Sequence, residues 1–235
     1  MSLIPRCLTS LCILLFGSAT MLAAEPEPGL YLRTTYAFGN LALSTVYIGE
    51  GGKIAIDPRE GVDPFDFETA AKKSPKTVGK FTVAGNSFLV TWAGTSAPQK
   101  VPVEFQNGKF SAYDGGLVTK ADAYAKDQKL NATYAGLGTT ANVSASRTLT
   151  LTSDGKYTMT LVGGVRSIPG AKAGIAETTE KGKYQLSGNT LTLTSADGKS
   201  TKHTVLPFNT ALDPKKAQLS DDHLIFDGLN LKREK

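Results

Sequence analysis

KGKYQLSGNTLTLT, the stretch from Lys181 to Thr194, decides the fold. Tyr184 and Leu186 alternate with polar residues before the pair Gly188-Asn189, and leucines alternate with threonines after it. Such alternation is typical of a half-buried strand, and a Gly-Asn pair accepts the positive φ that a tight hairpin needs. We therefore predict a β-hairpin over this stretch.

The same unit occurs earlier as VGKFTVAGNSFLVT, from Val78 to Thr91, so that Gly79 corresponds to Gly182 at an offset of 103 residues. The offset holds without a gap across several turns, which indicates an internal duplication. Besides the hairpin, the offset matches Tyr31 with Tyr134, Gly52-Lys53 with Gly155-Lys156, Val46 and Ile48 with Leu149 and Leu151, Ile54 and Ile56 with Tyr157 and Met159, and Phe105 with Phe208.

The duplication and its turns predict an all-β fold of two tandem repeats of about 100 residues each. Seven or eight short strands per repeat suit a small antiparallel up-and-down barrel or a strongly curved meander. Near the end of each half, Tyr113-Asp114-Gly115 is echoed by Phe226-Asp227-Gly228. Two barrels are favoured because a repeat of this length is enough to fold alone, and one joint closed sheet is the alternative.

The predicted organisation has four parts: a signal peptide over residues 1–24, a first barrel repeat over 25–118, a linker over 119–133 and a second barrel repeat over 134–235. Each repeat carries one long connection at the same place, Pro58 to Thr77 in the first and Val162 to Glu180 in the second. We expect a helical turn from Asp66 to Lys73 in the first connection and a short helix in the linker. Connections of this length are often functional.

The N-terminus is predicted to be a cleaved secretory signal peptide. Arg6 precedes an apolar run from Cys7 to Leu22, and small residues allow cleavage near Ala24. The mature protein is therefore expected in the periplasm or outside the cell. Lipidation is not expected, because neither Cys7 nor Cys12 directly follows a small residue. Both cysteines lie in the signal, and export without disulfides favours a bacterial envelope.

The charge pattern argues against nucleic-acid binding. The formal net charge is +5, and no run of lysine and arginine interleaves with aromatic residues. No CxxC motif and no calcium-loop spacing occurs in the mature chain, so we expect no metal and no cofactor. The expected partners are a small apolar ligand or another envelope protein, with no transmembrane segment after signal cleavage and no oligomeric state indicated.

Two histidines are candidates for catalysis. His203, whose counterpart at the shared offset is Lys100, is expected to face solvent from a strand. His223 follows Asp222 and is expected at a turn. Neighbouring residues rarely give the geometry in which an acid holds a catalytic base, so a triad is not favoured.

Acidic residues cluster in the first long connection, at Glu60, Asp63, Asp66 and Glu68. A paired-carboxylate hydrolase would use two of them across a cleft. A solvated loop would balance them against Lys72, Lys73 and Lys76, which is the favoured interpretation.

Aromatic and basic residues near the long connections are the candidates for ligand binding. Trp92, the only tryptophan, continues the inward set of Phe88 and Val90, which predicts either a core position or a ring that stacks on a ligand at the barrel mouth. A ligand would lie between the strands and the connection after the third strand. The residues predicted to contact it are Trp92, Tyr31, Tyr36, Phe65, Arg59 and Arg166.

The second half resembles small exported bacterial β-barrel domains that are called lipocalin-like, and the first half resembles them more weakly. The residues that carry the resemblance are SDGKYTM (Ser153 to Met159), GKYQLSGNTLTLT (Gly182 to Thr194) and FDGLNLKRE (Phe226 to Glu234). The resemblance implies an envelope protein with a barrel fold. Its motifs specify hairpins and supply no catalytic residue.

These observations favour a non-enzymatic exported envelope protein that binds a small apolar or amphipathic ligand. A structural or protein-interaction module with packed barrels is the first alternative. A secreted hydrolase that uses the acidic cluster or His223 is the second. Barrels filled by their own side chains, with no pocket, would count against ligand binding.

Overall fold

The structure, a computed structural model, describes residues 25–37, 39–139, 143–165, 175–208 and 222–235. Within these ranges the chain forms sixteen strands and one short helix, and the strands close into two antiparallel barrels of eight strands each. This confirms the predicted all-β fold with tandem barrels and decides against one joint sheet. The predicted signal peptide, with Cys7 and Cys12, lies outside the described residues, so export stays a prediction.

Barrel 1 is an up-and-down barrel in which each strand pairs with the next and the eighth pairs with the first. Its long connection holds a helix, as expected from the sequence. The elements are β1 (Gly29–Ala37), β2 (Asn40–Gly49), β3 (Lys53–Ile56), α1 (Phe67–Lys73), β4 (Val78–Ala84), β5 (Ser87–Trp92), β6 (Gln99–Gln106), β7 (Lys109–Tyr113) and β8 (Gly116–Lys120).

Barrel 2 has the same topology and closes through its last and first strands. Its elements are β9 (Ala132–Thr139), β10 (Val143–Leu151), β11 (Lys156–Val165), β12 (Ile175–Ser187), β13 (Thr190–Ser195), β14 (Ser200–Phe208), β15 (His223–Phe226) and β16 (Leu229–Arg233).

The two barrels share their pairing register over the first strands, which confirms the duplication. Tyr31 pairs with Val46 in barrel 1, and Tyr134 pairs with Leu149 in barrel 2. Both pairs obey the offset of 103 residues that the sequence predicts. Each tyrosine is buried in its barrel.

Gly79 and Gly182 match because both allow a close backbone approach. A Cβ on Gly79 would lie 2.4 Å from the carbonyl oxygen of Thr91, and a Cβ on Gly182 would lie 2.0 Å from that of Thr194. Only glycine therefore lets β4 and β12 pass so near to the strand that follows.

Alternate residues of the strands fill the barrel interiors with apolar side chains. The buried cluster of barrel 1 contains Tyr31, Val46, Ile48, Ile54, Phe81, Phe88, Val90, Val101, Val103, Phe110, Tyr113 and Val118. The buried cluster of barrel 2 contains Tyr124, Leu130, Tyr134, Leu149, Leu151, Tyr157, Tyr184, Leu186, Leu191, Leu193, Val205, Leu224, Phe226 and Leu231. Because the protein's own side chains occupy both interiors, the packing argues against a ligand inside either barrel.

One turn differs in length between the repeats, and the difference changes which residues face inward. The pairing of β5 with β6 and of β13 with β14 makes Pro102 correspond to Thr204, an offset of 102 instead of 103. The match of Phe105 with Phe208 that the sequence predicts is therefore wrong. A shift of one residue exchanges the two faces of a strand, and the sequence alone does not show it.

His203 points toward the barrel interior, which corrects the expected solvent-facing position. With the shorter turn its counterpart is the buried Val101 and not Lys100. The ring of His203 stacks on Phe226 with centroids 4.6 Å apart, and its Nδ1 lies 2.8 Å from Asp227 Oδ2. An imidazole held by a ring and a carboxylate thus takes the place of an aliphatic side chain.

The second long connection is shorter than expected, because β11 extends to Val165 and β12 begins at Ile175. Much of the stretch predicted as a connection is therefore a paired ladder, in which Val162 lies opposite Glu177. Valine and threonine are frequent here, and both favour strands.

The linker does not contain the expected helix: residues 121–131, all of them described, have no helical segment. Tyr124 instead forms a β-bridge with Gly188, through hydrogen bonds of 3.0 and 3.1 Å. Tyr124 and Leu130 are both buried in the core of barrel 2. Burial of these two side chains outweighs the weak helix preference of the linker alanines.

The outer faces of β1 and β2 pack against those of β14 and β15. A separate apolar cluster forms this junction between the barrels, with Leu30, Leu32, Val62, Leu206 and Ile225 buried and Leu43, Tyr47, Phe65, Ala121 and Phe208 partly buried. The cluster draws on both barrels and on the first long connection, so the two barrels form one packed unit.

Hydrogen bonds fasten the first long connection to barrel 2. The hydroxyl of Thr190 accepts from the N–H groups of Val62 and Asp63, each at 2.8 Å. The carboxylate of Asp63 accepts from the backbone N–H of Asn189. A Cβ on Gly61 would overlap the Thr190 side chain, so the connection lies directly on barrel 2.

Candidate functional site

A cavity of about 390 Å³ lies between the end of β3 and helix α1. Small-molecule sites typically have volumes of roughly 300–1,000 Å³, so this one suits a small ligand. The cavity is in the connection after the third strand, where the sequence places a ligand. Its lining includes Ile56, Arg59, Glu60, Phe65, Lys73 and Val78.

Helix α1 forms one wall and is fixed at its N-terminus and its underside. Asp66 is the N-cap, and its Oδ1 accepts from the N–H of Thr69 at 3.0 Å. Hydrogen bonds from the side chain and backbone of Thr69 hold the pKa of Asp66 below its usual range. Phe67 is buried with Ala55 and Val78, which anchors the helix on barrel 1.

The inner wall of the cavity is apolar. Ile56 and Val78 come from the barrel strands, and Ala70 comes from the helix. Phe65 closes the wall and packs on Tyr47, with ring centroids 4.7 Å apart. The phenyl ring is therefore held in place before any ligand arrives.

The rim of the cavity carries the guanidinium of Arg59 and an ion pair between Lys73 and Glu60. Lys73 Nζ lies 2.7 Å from Glu60 Oε1, and both side chains are about half exposed. Arg59 is exposed and, in the part of the chain that the structure describes, has no ion-pair partner. The rim therefore offers a guanidinium to an acidic group on a ligand.

Asp57 also lines the cavity, but its carboxylate is already engaged. Its Oδ1 accepts from the N–H of Thr45 at 2.7 Å, and its own N–H donates to the carbonyl of Thr45 at 2.9 Å. Its φ of 47° lies in the left-handed region. Sequence reasoning missed this residue, although aspartate followed by Pro58 is a turn signal that could have found it.

The structure brings two of the predicted ligand residues to this cavity, Arg59 and Phe65. Tyr31 lies in the core of barrel 1, and its hydroxyl donates to the carbonyl of Glu27 at 2.7 Å. Arg166 lies outside the described residues.

The other two predicted ligand residues also lie away from the cavity lining. Trp92 packs at the end of the barrel 1 core, and its Nε1 donates to Gln99 Oε1 at 2.9 Å. Tyr36 is on the outside of barrel 1 and is 77% exposed. The structure thus separates the aromatic residues that the sequence groups together.

Three acids of the acidic cluster have different structural roles. Glu60 pairs with Lys73, Asp66 caps α1, and Asp63 binds the Asn189 backbone across the barrel junction. Of the three acids only Glu60 lines the cavity.

His223, the remaining hydrolase candidate, begins β15 instead of lying in a turn. Its Nδ1 lies 2.9 Å from Asn230 Oδ1. The described residues include no group of three or more His, Cys, Asp or Glu side chains placed to hold a metal ion.

Comparison with known proteins gives no relative: no protein family, curated protein or solved structure matches the chain. The barrel part of the lipocalin-like resemblance is confirmed by the fold, and the family relation stays a prediction. In the described ranges no helix could span a membrane.

Proposed function

We propose that the protein is a non-enzymatic protein of the bacterial envelope that holds a small amphipathic acid between β3 and α1. The observation that carries the proposal is Arg59, a cation without an ion-pair partner among the described residues, at the rim of a cavity with an apolar inner wall. The signal-like N-terminus and the lipocalin-like hairpins support export.

The acid group of the ligand would bind Arg59, which can donate two parallel hydrogen bonds to a carboxylate or phosphate. Lys73 would add a second contact, although Glu60 already neutralises much of its charge. The apolar part would lie against Ile56, Val78 and Phe65. The volume of about 390 Å³ restricts the ligand to a short chain or a single ring system.

The first test is native mass spectrometry of the mature protein purified from its own host, compared with a denatured sample. A defined extra mass of an acidic amphiphile that disappears on denaturation is the expected result. If the spectrum shows only the mass of the protein itself, titration with octanoate decides whether the cavity binds an acidic amphiphile.

Isothermal titration with octanoate tests the role of Arg59. We expect Arg59→Gln to weaken octanoate binding by about tenfold, because a charge-assisted hydrogen bond at an exposed rim is worth about 1.5 kcal/mol. Octanol should bind both forms equally. Lys76→Gln is the matched control, because this exposed lysine is in the same connection but not in the lining. Equal binding of octanoate by wild type and Arg59→Gln, or no saturable binding at all, would overturn the proposal.

An interaction module is the second candidate, favoured by the filled interiors and by an exposed apolar patch on barrel 1. Tyr36 pairs with Leu41 across β1 and β2, and Leu117 lies nearby on β8. Leu41 is 59% exposed and Leu117 is 65% exposed. A Leu41→Ser/Leu117→Ser variant that loses envelope-protein crosslinks formed by the wild type would support this candidate over ligand binding.

A further inference from the structure

Each barrel carries two Gly-Lys pairs on neighbouring strands, and the register brings the lysines directly opposite each other. Lys53 pairs with Lys80 in barrel 1, and Lys156 pairs with Lys183 in barrel 2. All four lysines are exposed. Like charges directly opposite each other on adjacent strands destabilise a sheet, so the repeated arrangement has a cost in both copies.

Backbone packing explains why the glycine of the second pair occurs in both repeats, but it does not explain the lysines. Gly79 and Gly182 are required by the close approach of the next strand. Other outward positions of the same strands differ between the repeats: Ala55 corresponds to Thr158, and Thr82 corresponds to Gln185. The lysine pair is thus retained where its outward neighbours have changed, which points to a role beyond solubility.

In barrel 2 the lysine pair opens onto a cleft of about 1020 Å³, which is lined by β11, β12, β13 and the turns beside them. Lys181 joins Lys156 and Lys183 in its lining, together with the hydroxyl-bearing Thr194 and Ser195. Lys181 and Lys183 are on the same face of one strand, so their Cα atoms are roughly 7 Å apart. The cleft therefore presents two cations from one strand, with Cα atoms roughly 7 Å apart, beside hydroxyl groups.

Asp154 is the acidic residue in the lining of this cleft, and it forms an ion pair with Lys156. Its Oδ2 lies 2.6 Å from Lys156 Nζ. In the described part of the chain, Lys181 and Lys183 have no ion-pair partner. Two adjacent cations thus remain available to a ligand.

Barrel 1 provides an internal comparison. There the ammonium of Lys53 lies 5.5 Å from the ring centre of Phe67, so helix α1 stands beside the pair. No helix covers the corresponding face of barrel 2 within the described residues. The lysine pair of barrel 1 therefore lies beside a helix, and that of barrel 2 lies beside none among the described residues.

We propose that the outer face of β11–β13 binds a polyanionic chain with regularly spaced acid groups, which contact Lys181 and Lys183. The site is separate from the cavity beside α1 and does not depend on the function proposed for it. Carboxylates and phosphates share the chemistry that this face recognises, and the probes below distinguish them.

The test is fluorescence anisotropy of the mature protein with two end-labelled probes, polyphosphate and polygalacturonate, and labelled neutral dextran as a control. We expect binding of at least one polyanion and none of dextran. Binding should weaken between about 20 mM and about 300 mM salt, because screening shortens the reach of exposed charges. The polyanion that binds more tightly names phosphate or carboxylate as the preferred group.

Three variants decide the location. Lys181→Gln/Lys183→Gln should weaken polyanion binding by about tenfold or more, whereas Lys53→Gln/Lys80→Gln should weaken it by less than about twofold. Asp154→Asn should strengthen binding, because it frees Lys156. Equal losses in the two double variants, no effect of Asp154→Asn, or no binding of either polyanion would overturn the proposal.

Discussion

Arg33 in barrel 1 and Arg147 in barrel 2 belong to the same residue pair of the repeat, but they are on opposite strands of that pair. Arg33 on β1 pairs with Ser44 on β2, whereas the corresponding pair in barrel 2 is Gly136 with Arg147. The arginine has therefore changed strands between the copies but kept its level along the barrel. Each barrel thus holds one guanidinium at this level, opposite a small residue on the paired strand.

Gly116 makes the room for Arg33 and Thr35, because a Cβ there would lie 2.8 Å from Arg33 Nε and 2.7 Å from Thr35 Cγ2. Arg33 donates to the carbonyls of Tyr113 and Asp114, at 3.0 and 2.7 Å. We expect Gly116→Ala to displace the guanidinium and to lower the free energy of unfolding by roughly 1.5–3 kcal/mol. Urea denaturation of both single variants and of Gly116→Ala in an Arg33→Ala background measures the coupling. In that background the glycine change should cost less, because only the overlap with Thr35 Cγ2 remains. Additive costs would show that Arg33 does not depend on the space at Gly116.

The junction between the barrels depends on Asp63, whose carboxylate accepts from the backbone N–H of Asn189. Asp63→Ala leaves that N–H without its partner, so the free energy of unfolding should fall by about 1–2 kcal/mol in urea at neutral pH. Glu60→Ala is the control, because it removes only a half-exposed ion pair and should cost less than about 1 kcal/mol. Equal losses in the two variants would show that the junction does not rely on this bond.

Gly182 and Gly163 are a matched pair of strand glycines with opposite surroundings. A Cβ on Gly182 would overlap the backbone of Thr194, whereas a Cβ on Gly163 meets nothing within 4 Å. Gly182→Ala should lower the melting temperature by more than about 10 °C, since relieving a backbone overlap costs several kcal/mol. Gly163→Ala should leave it unchanged or raise it, because alanine restricts the unfolded chain. A calorimetric scan in which both variants melt together would refute the explanation for the repeated glycine.

Tyr31 makes stability depend on pH in the alkaline range. Burial, aided by the charge of Glu27, raises the pKa of Tyr31 to about 12. The folded protein therefore keeps a proton that the unfolded chain loses near pH 10, and the free energy of unfolding should fall between about pH 10 and 12. The loss from this residue is roughly 2–3 kcal/mol. Tyr31→Phe should make the slope shallower in urea titrations across this range, and Tyr36→Phe, which alters an exposed ring, should not.

The barrels could be predicted from the sequence because turns and alternation are local signals. Gly-Asn and Asp-Gly pairs give the turns, and the period of two gives the strand faces. The shorter turn before β14 could not be predicted, since an insertion of one residue leaves every local signal intact while it reverses a face. For the same reason the sequence predicts a solvent-facing His203, whereas the structure places it at the position of the buried Val101.

The site could be predicted only in part. The sequence predicts Arg59 and Phe65 as ligand residues because they lie in a long connection, and such connections are often functional. The partners that make the site depend on tertiary contacts: the pairing of Lys73 with Glu60, the packing of Phe65 on Tyr47, and the docking of Asp63. No local pattern in the sequence reports such contacts.

The one-residue difference in turn length also explains why the repeats are no longer interchangeable. At the original offset, Leu206 and Phe208 correspond to Val103 and Phe105, which lie within barrel 1. In barrel 2 the slip carries Leu206 and Phe208 to the outside, where they help to form the junction. A change of one residue in turn length is therefore sufficient to move apolar side chains from a barrel core to an outer face that binds the other barrel. Removal of either barrel would expose to water the apolar side chains that the other contributes to the junction.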